Sequence, residues 1–141
     1  MLEKIINTAF GAKLVYQDKE LLFKESTLKV IRNLCERRLF TLEGYLQAVK
    51  KILPISYKIP IVITDNFVLF QTESSRNFTN IWINYKAIMD TKEVDKKLII
   101  TFLSGNSLTI NWTKKGFKRL EENIRIIEEY KRSLETSNLS F

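Results

Sequence analysis

The stretch FQTESSRNFTNIWINYKAI, residues 70–88, gives the strongest indication of how this chain folds. In its second half, Ile81, Ile83 and Tyr85 fall on one face of a strand and Trp82 on the other, because successive side chains of a strand point to opposite faces. At least one aromatic side chain therefore faces away from the main apolar set. We interpret Trp82 as part of a second packing surface, against a helix or a dimer partner; the alternative is a platform for base stacking.

Six further segments have the composition and alternation of strands, with turn residues between them. Together with this one, the predicted strands cover residues 14–17, 20–24, 57–64, 67–72, 80–88, 96–103 and 107–112. Ser104 to Ser107 form a hairpin signal between the last two, and Pro60 indicates an edge strand or the start of a strand. Apolar and polar side chains alternate in the last strand, which predicts that one side of this sheet faces water.

Three segments have apolar residues at helical spacing. The first covers residues 27–39, and the second runs from about Glu43 until Pro54 ends it. The apolar face of the second helix consists of Leu46, Val49, Ile52 and Leu53. The third helix runs from Thr113 to about Leu134, and its stripe of about three heptads is too short for a convincing coiled coil, so we predict that it packs on the protein's own sheet. The stripe consists of Phe117, Leu120, Ile124, Ile127 and Leu134.

These elements predict a single α+β domain over residues 1–141. The expected architecture is an antiparallel sheet or partly open barrel of about seven strands, with a two-helix insertion after the first hairpin and the C-terminal helix packed on the sheet. A barrel like that of pleckstrin-homology domains would also fit this order of elements.

The charge of the chain is its most informative bulk property. Its 141 residues include 23 Lys and Arg against 16 Asp and Glu, a net charge of +7. Residues 29–58 alone hold seven basic and two acidic residues. Clustered positive charge is typical of nucleic-acid binders, although it suits any polyanion and is compatible with solvated lysines of no specific role.

Some of these cations have a structural explanation as well as a functional one. Four of them lie near the C-terminal ends of the first two helices: Arg37, Arg38, Lys50 and Lys51. The helix dipole favours cations there whatever the function. Lys114 and Lys115 lie at the start of the third helix, where the dipole disfavours cations. Exposed amides and cations at a helix start are suited to binding a phosphate. The alternative is that both lysines are solvated and have little energetic consequence.

The inventory of reactive side chains argues against an enzyme. The chain has no His, one Cys and four Gly, with no Gly-rich phosphate loop and no carboxylate pair at a telling spacing. Cys35 lacks a disulfide partner within the chain, and we predict that it is a small buried residue on a helix. We expect no catalytic residue, no metal, no cofactor and no small-molecule substrate.

We expect neither a membrane span nor an export signal in this chain. No apolar run approaches the roughly 18 residues of a membrane span. The first residues, MLEKIINTAFGAKLVY, include Glu3 and only a short apolar patch, which fits poorly with a secretory signal. We expect a cytoplasmic protein without a membrane partner.

Several segments, in this order, resemble the ComK family of competence transcription factors from Gram-positive bacteria. They are KVIRNLC (29–35), YKIPIVIT (57–64), FQTESSRN (70–77), IWINYKAI (81–88) and the hairpin ITFLSGNSLTINW (100–112). The most specific parts are Lys58–Ile61, the loop Thr72–Asn77, and Ile81-Trp82 followed by Asn84, and the resemblance runs from about Ala12 to Ile127. The chain departs from the family pattern in having Gln71 for a usual Pro, Asn80 for a usual Cys and Lys86 for a common His.

The resemblance implies a sequence-specific DNA-binding activator of DNA-uptake genes that recognises paired A/T-rich boxes largely through the minor groove and acts as a homo-oligomer on the nucleoid. Narrow A-tract minor grooves attract Arg and Lys without any metal or cofactor. The alternative is a non-enzymatic module of similar fold that binds a protein or an anionic surface, or a regulator of a full-length relative.

We predict that eight basic residues contact DNA. They are Arg37, Arg38, Lys50, Lys51, Lys58, Arg76, Lys114 and Lys115. Arg76, in a polar loop, is the best candidate to enter the minor groove, with an exposed loop arginine of no function as the alternative. We expect the two pairs at the helix ends to act mainly on phosphates.

Overall fold

Two antiparallel sheets and three helices make up residues 1–136, the part of the chain that the computed structural model describes. The elements are β1 (Leu2–Thr8), β2 (Gly11–Tyr16), β3 (Glu20–Phe23), α1 (Thr27–Glu36), α2 (Leu42–Ile52), β4 (Ile61–Thr64), β5 (Phe67–Gln71), β6 (Ile81–Asn84), β7 (Ile88–Val94), β8 (Lys97–Phe102), β9 (Ser107–Ile110) and α3 (Lys114–Thr136). A single 3-10 turn, Tyr85–Ala87, joins β6 to β7.

The larger sheet has six strands in the order β3-β2-β1-β6-β5-β4, and the smaller has the order β7-β8-β9. Within residues 1–136 neither sheet closes on itself, so the predicted α+β fold is present in its open form and not as a barrel. The two helices α1 and α2 follow the hairpin of β2 and β3, as predicted. The strands number nine in the described part of the chain, two more than predicted.

The six-stranded sheet is covered on both faces, which explains the two-sided apolar pattern around Trp82. Ile83 belongs to a core cluster shared with the smaller sheet and α3. Trp82 points to the opposite face and is buried in a second cluster with Ile31 and Cys35 of α1 and Leu42 of α2. The predicted second packing surface for Trp82 is therefore confirmed, and its partner is the pair of helices.

The strand β1 was not predicted, although it lies at the centre of the larger sheet between β2 and β6. Its pairing with β2 shifts register between Leu2 and Lys4, so a bulge interrupts the alternation of apolar side chains. The resulting spacing of Leu2, Ile5 and Ile6 does not match the period of two by which strands are recognised.

The buried carboxylate of Glu3 ties β1 to the smaller sheet. Glu3 accepts hydrogen bonds from the Ser104 hydroxyl and from Asn106 Nδ2, the latter at 3.2 Å. Both partners belong to the turn between β8 and β9, where Gly105 adopts a φ of 95°. The predicted hairpin is confirmed, and its polar residues hold the two sheets together.

The chain turns from the larger sheet into the smaller one at Asn84. This buried side chain accepts from the N–H groups of Val68 and Lys86, both at 3.2 Å, and donates to the Leu2 carbonyl at 2.9 Å. These bonds end β6 and start the 3-10 turn. The single predicted strand over residues 80–88 is therefore wrong in extent, since only Ile81–Asn84 are extended before the turn.

The stripe of α3 packs on the protein's own sheet, as predicted. Its buried members are Phe117, Leu120, Ile124 and Ile127. They pack against Leu98, Ile100, Phe102 and Ile110 of β8 and β9. Leu134 was predicted to extend this stripe but is 37% exposed, and Ile127 is the last residue of the stripe in the core cluster.

Three predicted boundaries change for local reasons. The helix α1 ends at Glu36 and not at residue 39, since residues 37–39 form a turn in which Leu39 has a φ of 68°. In α2, Ile52 was predicted on the buried face but is exposed in the last turn. The strand β4 begins at Ile61 and not at residue 57, because Lys58 has a φ of 45°. Pro60 directly precedes this edge strand.

The outer edge of β4 is closed by side chains from two helices. Tyr45 Oη on α2 donates to the Pro60 carbonyl at 2.7 Å and accepts from the Val62 N–H at 3.0 Å. Lys131 Nζ on α3 donates to the Val62 carbonyl at 3.2 Å. Burial raises the pKa of Tyr45 to about 12 and lowers the pKa of Lys131. Covering an edge in this way removes a site at which another strand could pair.

Candidate nucleic-acid interface

The loop between β5 and β6, residues 72–80, is braced by two buried polar side chains at its ends. Asn80 Oδ1 accepts from the Glu73 N–H at 2.9 Å. Thr72 Oγ1 accepts from the Ile81 N–H at 3.0 Å. An amide at position 80 thus does a structural task here, closing the base of the loop.

Neighbouring elements hold the same loop from outside. Trp112 Nε1 donates to the Thr72 carbonyl at 2.9 Å, and Asn7 Nδ2 on β1 donates to the Phe78 carbonyl at 2.8 Å. The loop is therefore fixed to β1 and to the segment between β9 and α3, although its tip is exposed. A binding residue on such a support loses little conformational freedom when it binds.

Arg76 lies at the exposed tip of this loop. Its N–H donates to Ser74 Oγ at 3.4 Å. Among residues 1–136 its guanidinium has no hydrogen bond or ion pair with another side chain. This placement agrees with the prediction of an exposed arginine in a polar loop. Contact between Arg76 and DNA stays a prediction.

A cavity of about 430 Å³ opens beside the loop, and we call it the basic groove. It lies between α1, α2, the segment 56–59 and the end of β5. Three basic side chains line it, Arg32, Lys50 and Lys58, together with Ser75 next to Arg76. Two predicted DNA contacts on different elements are therefore brought to one place, adjacent to a third.

Local backbone structure sets the positions of these cations. The left-handed conformation at Lys58 turns the chain between α2 and β4 and keeps its side chain half-buried, with Nζ 5.5 Å from the ring centre of Tyr57. Lys50 and Lys51 occupy the last turn of α2, where the helix dipole favours them. Of these two, Lys50 faces the groove and Lys51 is exposed outside it.

Arg32 is paired and so contributes less free charge to the groove. Its Nε lies 2.5 Å from Glu43 Oε1 of α2. Both side chains are about half exposed, and the hydrogen bond from Arg32 lowers the pKa of Glu43. The remaining positive charge of the groove therefore belongs mainly to its lysines.

Arg37 and Arg38 lie at the other end of the larger sheet. Arg38 lines a surface cavity with Thr64 and Phe67, which are the last residue of β4 and the first of β5. The basic groove instead contacts Gln71 at the far end of β5. The two places are about 13 Å apart along the strand, so these arginines form a separate basic surface.

Lys114 and Lys115 occupy a third place, at the start of α3. The Lys114 N–H donates to Glu93 Oε1 at 2.6 Å, and its Nζ donates to the Thr91 carbonyl at 3.2 Å. The Lys114 groups are thus engaged by β7, which explains how a cation is tolerated at this helix start. Lys115 is exposed. A phosphate contact by either lysine stays a prediction.

That Arg32, Gln71 and Trp82 share one groove was not predicted from the sequence. The strand register places Gln71 opposite Trp82. The helix α1 places Arg32 beside them in the same cavity. The described residues contain no cluster of His, Cys, Asp and Glu able to hold a metal ion. None of the helices described in the structure has the length and apolar character needed to cross a membrane.

Comparison with known proteins identifies the family. No curated protein and no solved structure matches the chain. The family model described as ComK protein matches residues 2–132 of the 141 residues. Because this match spans nearly the whole chain, including the basic groove and the loop that carries Arg76, the chain belongs to the ComK family.

Proposed function

We propose that this protein is a DNA-binding transcriptional activator of competence genes that recognises A/T-rich duplex largely through the minor groove. It acts as a homo-oligomer in the cytoplasm, on the nucleoid, and it is not an enzyme. Membership of the ComK family supports the role in competence and transcription. The observation that carries the DNA-binding surface is the unpaired Arg76 on a braced loop beside the basic groove.

Arg76 has the properties that minor-groove recognition requires. A narrow A/T-rich groove has a strongly negative potential and admits an arginine without a base-specific hydrogen-bond pattern. The guanidinium of Arg76 is exposed, and the loop below it is held at Thr72, Asn80 and Phe78. Insertion would therefore order one side chain and leave the backbone unchanged.

We infer that the lysines of the basic groove contact phosphates that flank the minor groove of the DNA. Lys50 and Lys58 come from two different elements and flank the same side of the loop. Contacts to phosphates position a protein on the duplex and supply affinity that depends on salt. We assign the reading of sequence to Arg76 and the positioning to these two lysines and Lys51.

Replacing Arg76 tests the proposal. We expect Arg76→Ala to weaken binding to an A/T-rich duplex by about 1–3 kcal/mol, measured by fluorescence anisotropy at moderate salt. Arg76→Lys keeps the charge but loses the planar fork, so it should recover only part of the affinity. Lys92→Ala removes the same charge from an exposed position on β7 and serves as the matched control.

The outcome separates the two classes of function. A selective loss for A/T-rich duplex with Arg76→Ala, and little change with Lys92→Ala, supports minor-groove recognition. Equal small losses for both variants, on any duplex and on heparin alike, would favour the alternative module that binds anionic surfaces. Unchanged binding by Arg76→Ala would remove this residue from the site.

A further inference from the structure

Trp82 carries a hydrogen-bond donor that has no partner. The side chain is 4% exposed, and its Nε1 is the one buried side-chain nitrogen or oxygen in the described part of the chain that lacks a hydrogen bond. Trp112, by contrast, donates from Nε1 to the Thr72 carbonyl at 2.9 Å. A buried donor without an acceptor costs about 1–3 kcal/mol, so an unpaired one in a folded protein calls for an explanation.

The tryptophan that carries this donor lines the basic groove, and its Nε1 is buried beneath the surface. Trp82 is on the face of the larger sheet that α1 and α2 cover, and it lines the cavity of about 430 Å³ together with its cross-strand neighbour Gln71. Small-molecule sites have volumes of about 300–1,000 Å³ and combine an apolar lining with a few polar groups. The groove satisfies both conditions.

The lining of the groove is amphipathic. The apolar part consists of Leu28, Leu42, Leu46, Ile59 and Ile61. The cationic part consists of Arg32, Lys50 and Lys58, and Glu43 is already paired with Arg32. Neither lysine has an ion pair within residues 1–136, which leaves two positive charges uncompensated.

We propose that the basic groove binds a small organic phosphate monoester with an apolar or aromatic body. The phosphate, with a charge of about −1.5 to −2 at neutral pH, matches the two free lysines, Lys50 and Lys58. The body lies against the leucine and isoleucine side chains, and its entry displaces the side chains that cover Trp82 Nε1, so that an oxygen of the ligand accepts from this donor. This donor then has the partner that the protein itself does not supply.

Such a ligand would act as a regulator and not as a substrate. The groove holds no group that could activate a nucleophile, since its ionisable lining consists of the Arg32–Glu43 pair, the two lysines and Tyr57. Binding itself does not depend on the function proposed above. Its consequence, competition with DNA for Lys50 and Lys58, rests on that function.

The two tryptophans provide a direct test by nuclear magnetic resonance. The full chain, labelled with ¹⁵N, gives two indole N–H signals, which Trp112→Phe assigns. Titration with 1-naphthyl phosphate should move the Trp82 signal saturably and leave the Trp112 signal in place. Inorganic phosphate lacks the apolar body and 1-naphthol lacks the charge, so each should bind at least about tenfold more weakly.

Two lysines that are neighbours in sequence provide matched variants. Lys50→Gln removes a lysine that lines the groove, and calorimetry should show about tenfold weaker binding of 1-naphthyl phosphate. Lys51→Gln removes an exposed lysine on the same turn of α2 that does not line the groove, and binding should be unchanged. Trp82→Phe should also weaken binding, and the lysine pair decides the case if that variant does not fold.

Three results would overturn the proposal. One is the absence of a saturable shift of the Trp82 signal at millimolar 1-naphthyl phosphate. Another is equal weakening by Lys50→Gln and Lys51→Gln, which would indicate nonspecific attraction. The third is a shift of the Trp82 signal by a short A/T-rich duplex but not by 1-naphthyl phosphate, which would make the groove a backbone-phosphate site for DNA.

Discussion

The packing of α3 on the smaller sheet gives a prediction for Leu120→Ala. Leu120 is 6% exposed and lies between Phe117 and Ile124 in the core cluster that α3 shares with β8 and β9. If this stripe holds the protomer together, truncation lowers the free energy of unfolding. If it were instead an interface between copies of the chain, truncation would dissociate the oligomer and leave each protomer folded.

The magnitude follows from the burial of the side chain. Leucine to alanine removes three carbon atoms, each worth about 0.8 kcal/mol when buried, and the cavity left behind adds to this loss. We expect a decrease of about 2–5 kcal/mol, against a total of about 5–15 kcal/mol for a typical domain. The variant should remain folded at 25 °C but melt at a clearly lower temperature.

The same helix offers a matched control. Leu134→Ala makes the same chemical change at a side chain that is 37% exposed, so the expected loss is below about 1 kcal/mol. Urea unfolding followed by circular dichroism gives the free energies, and analytical ultracentrifugation gives the mass. Equal effects of the two substitutions, or a stable folded monomer formed only by Leu120→Ala, would refute the packing described for α3.

Three further predictions concern other parts of the molecule. Tyr45→Phe leaves two backbone groups at the edge of β4 without partners and should cost about 1–3 kcal/mol in urea unfolding. The folded-state pKa of Tyr45 is raised to about 12 from its ordinary value near 10, so its contribution to stability is present below pH 10 and is lost as the pH rises towards 12. Between pH 8 and pH 11 the urea midpoint should therefore fall further for the native chain than for Tyr45→Phe. The Cys35 thiol is buried and its pKa is raised to about 11, so it should react with a disulfide reagent at pH 8 only as fast as the protein opens, and fast modification of the native state would contradict its placement in the core. Replacing Arg37 and Arg38 together by Gln should weaken binding to all duplexes alike and reduce the salt slope by about 0.9 for each lost phosphate contact; loss confined to A/T-rich duplex would make them readers of sequence.

The elements that could be predicted are those whose signals are local. The hairpin around Gly105 depends on turn residues, and the stripe from Phe117 to Ile127 depends on helical spacing, so both were recognised. The fold class followed from the order of such elements. The exposed side of β9 followed from simple alternation.

The elements that were missed depend on contacts distant in sequence. The strand β1 needs a bulge at Leu2 and Lys4 and a partner in β6, and its own spacing indicates neither. The turn at Asn84 depends on a hydrogen bond to the Leu2 carbonyl, 82 residues away in sequence. Ile52 lies on the predicted apolar face of α2, but it is the last residue of the helix and is exposed, while Leu53 and Ile55 after it pack in the core.

The candidate site was predictable in residue type and not in arrangement. Charge clustering indicated a basic surface, yet it could not show that Lys50 and Lys58 share a groove while Arg38 lies at the other end of the sheet. Alternation indicated that Trp82 belongs to a second packing surface. That its Nε1 lacks an acceptor there depends on every neighbouring side chain, and so only the structure could reveal it.

Selection of A/T-rich duplex DNA is the property on which the proposed function depends. The most direct measurement is the affinity of the native chain for A/T-rich and G/C-rich duplexes of equal length, at about 0.15 M salt and with heparin as competitor. We predict that the chain binds the A/T-rich duplex more tightly by about tenfold or more and that this binding survives the competitor. Equal affinity for both duplexes, with release by heparin, would contradict it.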